Sequence, residues 1–323
     1  MKKVYLLVFV FMVSIVMMSA QNIIRINNPG DPQSLYGPEQ LVEEVLIPNA
    51  CTTTVDSFSL QVFGNSADIT TKSYGYFKKT PGSNFPFEEG IVITNGRAFN
   101  AGNIITSTLV DTPIGLPGDV DLERALPVTN TYDANFIKFN FTPLASTISF
   151  RFLMASEEYN GKDECQFFDS FAFLLREVGT STYINLAVLP DGTPVNVNNI
   201  NQSSTKDVAA VPVACDANVN FFEGYDLGDT NYGGRTVVLT AEASVIPNTT
   251  YEIKLVVADQ GDSEYDTGIF LEAGSFDLGG NLGDNRTVVD GNPGCDGTPI
   301  TLDATIGAPN VNYKWFKDDV EVI

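Results

Sequence analysis

Tyr251-Glu252-Ile253-Lys254-Leu255-Val256-Val257-Ala258-Asp259-Gln260-Gly261-Asp262-Ser263-Glu264-Tyr265-Asp266 is the stretch whose reading decides the fold. Tyr251, Ile253, Leu255 and Val257 recur at period two, the mark of a strand with one buried face. The strand runs straight into Asp259, Asp262, Glu264 and Asp266. A second stretch repeats the arrangement. Ile148, Phe150 and Phe152 alternate and lead into Ala155-Ser156-Glu157-Glu158-Tyr159, with Asp169-Ser170-Phe171-Ala172-Phe173 shortly after. Carboxylates gathered at strand ends repel one another unless something cationic lies between them. A hard cation such as Ca2+, taking about six to eight oxygen ligands, suits such a cluster. The expectation is therefore an exported β-sandwich with a calcium site.

Composition narrows the function. Histidine is absent from all 323 residues, which removes Ser-His-Asp and Cys-His catalysis and every imidazole zinc site. Acids number 40 against 18 bases, for a formal net charge of -22. Loss of Lys2 and Lys3 with a signal peptide takes this to -24 (-22 less two positive charges). That sign opposes nucleic acid and anionic membranes as partners and favours divalent cations. Acidity also keeps an exported protein soluble, but solubility does not explain the clustering.

Residues 1–20 read as a signal peptide: Lys2 and Lys3, an apolar core from Val4 to Met18, then Ser19-Ala20 before Gln21. The apolar run is about 15 residues, short of the roughly 20 that a membrane span needs, and no later segment predicts a transmembrane helix. Export permits disulfides among Cys51, Cys165, Cys215 and Cys295. The Asn201, Asn248 and Asn285 sequons carry little weight beside a signal peptide of bacterial style.

Residues 21–36 have few apolar positions and read as a lead-in. Pro38 to Ile47 predicts one short helix: Pro38 suits a helix start, and Leu41, Val42, Val45 and Leu46 share a face. From there the sequence is β-type. Phe136 to Phe141 and Ile148 to Met154 predict a hairpin about Pro143. Further strands are expected at Phe171–Leu175, Ile184–Leu189, Val195–Ile200, Thr236–Thr240, Tyr251–Val257 and Ile269–Phe276. The whole predicts an all-β, jelly-roll-like antiparallel β-sandwich over residues 37–278. A Gly-rich linker over 279–286 follows. Residues 287–323, with Cys295 and Tyr313-Lys314-Trp315-Phe316, have the pattern of an immunoglobulin-like domain broken off at Ile323, so a longer protein is expected.

Several ordered blocks resemble the choice-of-anchor L domain of Bacteroidota surface proteins. They are Phe85-Pro86-Phe87-Glu88-Glu89-Gly90-Ile91-Val92, Gly118-Asp119-Val120-Asp121-Leu122, Tyr132-Asp133-Ala134, Phe152 to Tyr159 and Asp169 to Phe173. Asn185 to Pro190, Tyr251 to Leu255, Ala258 to Asp262, Tyr265-Asp266 and Phe270 to Phe276 complete the set. The resemblance covers about Leu41 to Phe276. It implies an exported module, commonly followed by Ig-like repeats and a sorting domain for type IX secretion. The expected location is the extracellular or outer-membrane surface of a Gram-negative bacterium.

Glu157, Glu158 and Asp169 are the first expected cation ligands, and Asp259, Asp262 and Asp266 the second set; Asp119, Asp121 and Asp133 are weaker additions. The competing reading is that these acids cap backbone N–H groups. Flexible, ligand-rich loops favour Ca2+ over the stricter octahedral Mg2+. Asp266-Thr267-Gly268 spells an aspartic-protease triplet, but no second triplet exists. Glu157 with Asp169 or Asp266 could be imagined as glycosidase acids, yet no strand carries them alternately. Phe221, Phe222, Tyr225 and Tyr232 either stack on sugar rings or, more simply, pack under their loop. A Cys165–Cys215 disulfide is favoured, which leaves Cys51 without a partner and Cys295 awaiting one beyond Ile323. The expected function is a non-catalytic adhesion or ligand-binding module with a surface glycan or protein as partner. The alternative is a carbohydrate-binding accessory of a surface polysaccharide system; a glycoside hydrolase ranks last.

Overall fold

A computed structural model of the chain describes residues 22–47, 55–106, 110–206, 215–279, 314–317 and 320–321. The signal peptide, Cys51, Cys295, Asn285 and most of the expected immunoglobulin-like segment lie outside them. The strands, in chain order, are β1 (Arg25–Ile26), β2 (Val55–Gln61), β3 (Tyr74–Lys78), β4 (Glu89–Thr94), β5 (Thr131–Phe141), β6 (Thr147–Ser156) and β7 (Ser170–Glu177). Then come β8 (Ile184–Asn185), β9 (Phe222–Tyr225), β10 (Gly234–Thr236), β11 (Leu239–Ser244), β12 (Tyr251–Gln260) and β13 (Thr267–Glu272). The short pair β14 (Phe316–Lys317) and β15 (Val320–Glu321) forms its own hairpin.

One sheet has the order β1-β3-β4-β13-β6-β10-β9, with β11 also on β6; the other runs β2-β5-β12-β7-β8. All pairings are antiparallel. Within them, β4, β13, β6 and β11 share one core with β5, β12 and β7. Successive strands cross between the sheets, from β4 to β5, β6 to β7 and β11 to β12, which is the winding of a jelly roll. The fold is thus the all-β sandwich expected.

Period-two alternation explains the layers. Ile148, Phe150, Phe152 and Met154 of β6 face Ile253, Leu255 and Val257 of β12 and Phe171, Phe173 and Leu175 of β7 in one shared core. Phe150 meets the rings of Phe173 and Phe276 at 4.9 Å each. The alternate residues are also covered. Leu153 and Ala155 pack with Phe77, Phe85, Phe87 and Phe270 on one outer face. On the other, Val256 and Ala258 pack with Leu174 and with Leu122 of α2 (Val120–Ala125). The N-terminal helix α1 (Pro38–Leu41) continues as a wider π turn over Val42–Leu46, and its Leu41, Val42, Val45 and Leu46 enter the main core.

Three local expectations need correction. β5 and β6 are no hairpin: they belong to opposite sheets, because Ile137, Phe139 and Phe141 and the β6 row face the same core from two sides. Val195–Ile200 is no strand; Val195, Val197 and Ile200 are buried anchors of a turn-rich segment whose Asn amides bond its backbone. Thr236–Thr240 splits between β10 and β11. The segment before Tyr36 supplies β1 and buries Ile23, Ile24 and Ile26. At the turn between β5 and β6, Leu144 donates its N–H to the carbonyl of the buried Leu278 at 2.7 Å, so Leu278 seats there.

Candidate functional site

Antiparallel pairing brings the ends of β4, β6 and β12 beside the starts of β5, β7 and β13. Ser156 is opposite Thr267, Thr94 opposite Gly268 and Ala258 opposite Ser170. Residues just outside those strands, remote in sequence, therefore meet at one pole of the sandwich. Glu157 and Glu158 follow β6, Asp169 precedes β7, Asp266 precedes β13, and Asp259 sits at a bulge of β12. Glu157, Glu158, Asp169, Asp259 and Asp266 are all buried, at 5% exposure or less. Asp262 lies on the exposed rim.

Their oxygens are directed mainly at backbone N–H groups. Val110 N–H donates to Glu157 Oε1 at 2.9 Å, Asp169 N–H to Glu158 Oε2 at 3.0 Å, and Thr112 N–H to Asp266 Oδ1 at 3.1 Å. Asn95 ties the two sheets together. Its Oδ1 accepts the Thr267 N–H at 2.7 Å, and its Nδ2 donates to Asp169 Oδ2 at 2.8 Å and also to Asp259 Oδ1. In the sequence, Asn95-Gly96 is no more than a turn signal, and nothing there places the amide between two strand-end aspartates. Asp266 Oδ2 is buried with no hydrogen-bond partner.

Electrostatics follow from this crowding. Burial, then Asp169 and Asp266, pushes Asp259 up to about 11. Burial pushes Asp266 up to about 7, against the Thr112 N–H that holds it down. Burial raises Glu158 well above the carboxylate range, with Asp169 repelling it next; burial likewise raises Asp169, and Glu157 goes up for the same first reason. A cavity of about 220 Å3 opens on this pole, lined by Glu158, Lys162, Asp163, Phe167, Asp262, Glu264 and Tyr265. Lys162 is its one basic wall residue and sits 3.5 Å from Asp163. Among the described residues, no three Asp, Glu, Cys or His side chains converge on one point as metal ligands do.

The weaker candidates lie elsewhere. Asp133 accepts the N–H groups of Ile114 and Leu116 at 3.1 and 2.7 Å. Asp119 and Asp121 pair with Lys254 on the outer face of the five-stranded sheet. Tyr232 and Phe222 are buried, Phe222 against the Tyr159 ring at 4.9 Å, so those aromatics pack under their loop. The structure joins Cys165 to Cys215, with Cα atoms 5.6 Å apart. Cys165 ends the turn that carries Asp163, so the bond braces a wall of the cavity.

A tight fit supports Asp266. A Cβ at Gly96 would lie 1.7 Å from Asp266 Oδ2. Gly96→Ala is expected to cost about 1–3 kcal/mol by overpacking. In a denaturant series, Asp266→Ala should relieve much of that cost, a coupling that a double-mutant cycle reads directly. Additive costs would mean the two residues do not meet.

Strand order and layering define an all-β, jelly-roll-like sandwich with an acidic pole. The chain belongs to the choice-of-anchor L domain family, whose sequence profile matches residues 27–277. Membership points to a protein held at the cell surface. Neither a curated protein nor a solved structure matches the chain. Among the described residues no helix is long and apolar enough to cross a membrane.

Proposed function

We propose that the protein is an exported, non-catalytic adhesion or ligand-binding module whose acidic pole takes up Ca2+. The observation that supports this is the meeting of Glu157, Glu158, Asp169, Asp259 and Asp266 in one buried site, with Asp262 at its rim. An unpaired buried carboxylate oxygen such as Asp266 Oδ2 carries a desolvation cost that a cation or a proton removes. The donors are all hard oxygens, the chemistry Ca2+ selects. Glu158 and Asp262 line the cavity, the way in for an ion. Binding requires the acids to turn from their N–H partners toward the ion, because no trio closes on a point without it.

The partner is a surface glycan or protein; the net charge of -22 opposes nucleic acid. A cavity of about 220 Å3 is small beside the roughly 300–1,000 Å3 of typical small-molecule sites. It favours an ion and one protruding ligand group over an enclosed substrate. A second cavity, about 360 Å3 and lined by Phe99, Asn100, Asn103 and Asn231, is less suited to polar recognition. Its Asn103 and Asn231 amides are committed to backbone groups.

Calorimetric titration of the exported chain with CaCl2 tests the ion. Saturable heat in the millimolar range or below, weakened in Glu158→Gln and Asp262→Asn, is expected. A flat titration sinks it. A glycan array with and without Ca2+ separates a glycan partner from a protein one. Polysaccharide turnover lost in Glu157→Gln would reverse the ranking of binding module over hydrolase.

A further inference from the structure

Lys254 is a charged residue in the middle of β12, on the face where Val256 and the cross-strand Leu174 pack with Leu122 of α2; its other cross-strand neighbour is Lys138. Its side chain is only 5% exposed, and that of Asp119 only 6%. Lys254 Nζ touches Asp119 Oδ2, lies 3.0 Å from Asp121 Oδ2, and sits 4.2 Å from the centre of the Phe136 ring. The other Asp119 oxygen, Oδ1, accepts the Leu122 N–H at 2.8 Å. An amine, a carboxyl carbon and a second carboxylate are thus held together under an apolar cover. The bland outcome is a buried ion pair that docks α2. Such pairs are poor sources of stability, because both charges lose their water.

We propose that Lys254 and Asp119 join in an intramolecular isopeptide bond once the domain has folded, with Asp121 moving the proton. The ammonium first gives a proton to Asp119 Oδ2, leaving a neutral amine beside a neutral acid. The Nζ lone pair attacks Cγ, and negative charge gathers on Oδ1, where the Leu122 N–H already donates. Asp121 takes a proton from Nζ and passes it to the departing Oδ2 hydroxyl. The Cγ–Nζ bond forms, the Cγ–Oδ2 bond breaks, and one water leaves. Atoms and charge balance with no oxidant, metal or cofactor.

Three features favour the step. Holding the reactants in contact replaces an encounter in solution. The amide keeps Oδ1 as the acceptor for Leu122, so the cap of α2 survives. Arg124, 3.6 Å from Asp121 Oδ1, still balances Asp121 when the lysine charge is gone. The bond would tie residues 135 apart in sequence. This inference is independent of the cation reading, since neither residue belongs to the acidic pole.

Mass spectrometry of the reduced, denatured exported chain decides it. The expected mass is short by one water, with no tryptic cut after Lys254 and a branched peptide joining Lys254 to Asp119. Asp121→Asn should fold and form the bond at least roughly a hundredfold more slowly, the usual scale for a lost proton shuttle. Full mass with cleavage after Lys254 overturns the proposal. So does a missing water found in a cyclised aspartate with no branched peptide. Unchanged bonding in Asp121→Asn overturns the part given to Asp121.

Discussion

Stripped of divalent cations, the protein is expected to melt at least about 10 °C lower at pH 8 than at pH 5. The sign follows from Asp266. Its folded pKa is raised to about 7, so the folded state keeps a proton that the unfolded chain releases near pH 4. That contribution is fully present below the unfolded value and is lost as pH climbs through the folded one. Between pH 5 and 8 the loss is roughly 3 kcal/mol from this group alone. Asp259, raised to about 11, extends the decline across the same range and beyond. Asp266→Asn, which cannot titrate, should flatten the slope, and that variant separates the site from the general repulsion of an acidic chain. Ca2+ should act in the opposite sense. At a hundred times its dissociation constant it adds about 2.7 kcal/mol, with more effect at pH 8 because its ligands must shed protons. A melting temperature in EDTA that is flat or rising from pH 5 to 8 would falsify the buried, proton-holding pole.

The second large effect is expected at Cys165–Cys215, a bond that closes a sequence separation of 50. A loop of that size should contribute roughly 4 kcal/mol by restricting the unfolded chain. Replacing both residues by Ser removes that constraint without leaving a free thiol. The midpoint of urea unfolding should fall accordingly, and reduction of the native protein should give the same fall. The brace also holds the Asp163 wall of the cavity. The double variant should therefore lose Ca2+ affinity at temperatures where it is still folded. Equal midpoints for the oxidised, reduced and Ser forms would show that the bond adds nothing.

Much of the architecture was legible because alternation reports which face of a strand is buried. The rows of β6, β7 and β12 read correctly from Ile148, Phe171 and Tyr251 onward. Alternation does not report which sheet a strand joins, and so Pro143 passed for a hairpin turn. Buried Val195, Val197 and Ile200 mimic a strand because spaced apolar residues anchor a loop as well as a sheet. The pole was legible as two acidic stretches, since carboxylates at strand ends advertise themselves. Asn95 was not, because a lone amide beside a glycine carries the same signature as any turn. Asp119 and Asp121 misled for a related reason: their partner, Lys254, is more than a hundred residues away.

The seat of Leu278 at the turn between β5 and β6 has a mechanical meaning. β6 begins at that turn and ends at Ser156, just before Glu157, so Leu278 lies at the pole opposite the acids. Any tether built from the sequence after Leu278 pulls on the far end. Under such a tether the sandwich would be moored at that end, with the acidic pole outermost. Load would run lengthwise along β12 and β6, straining their ladders in shear rather than peeling them from an edge. If the proposed ligand site is right, it is then the first part of the molecule that an approaching surface meets.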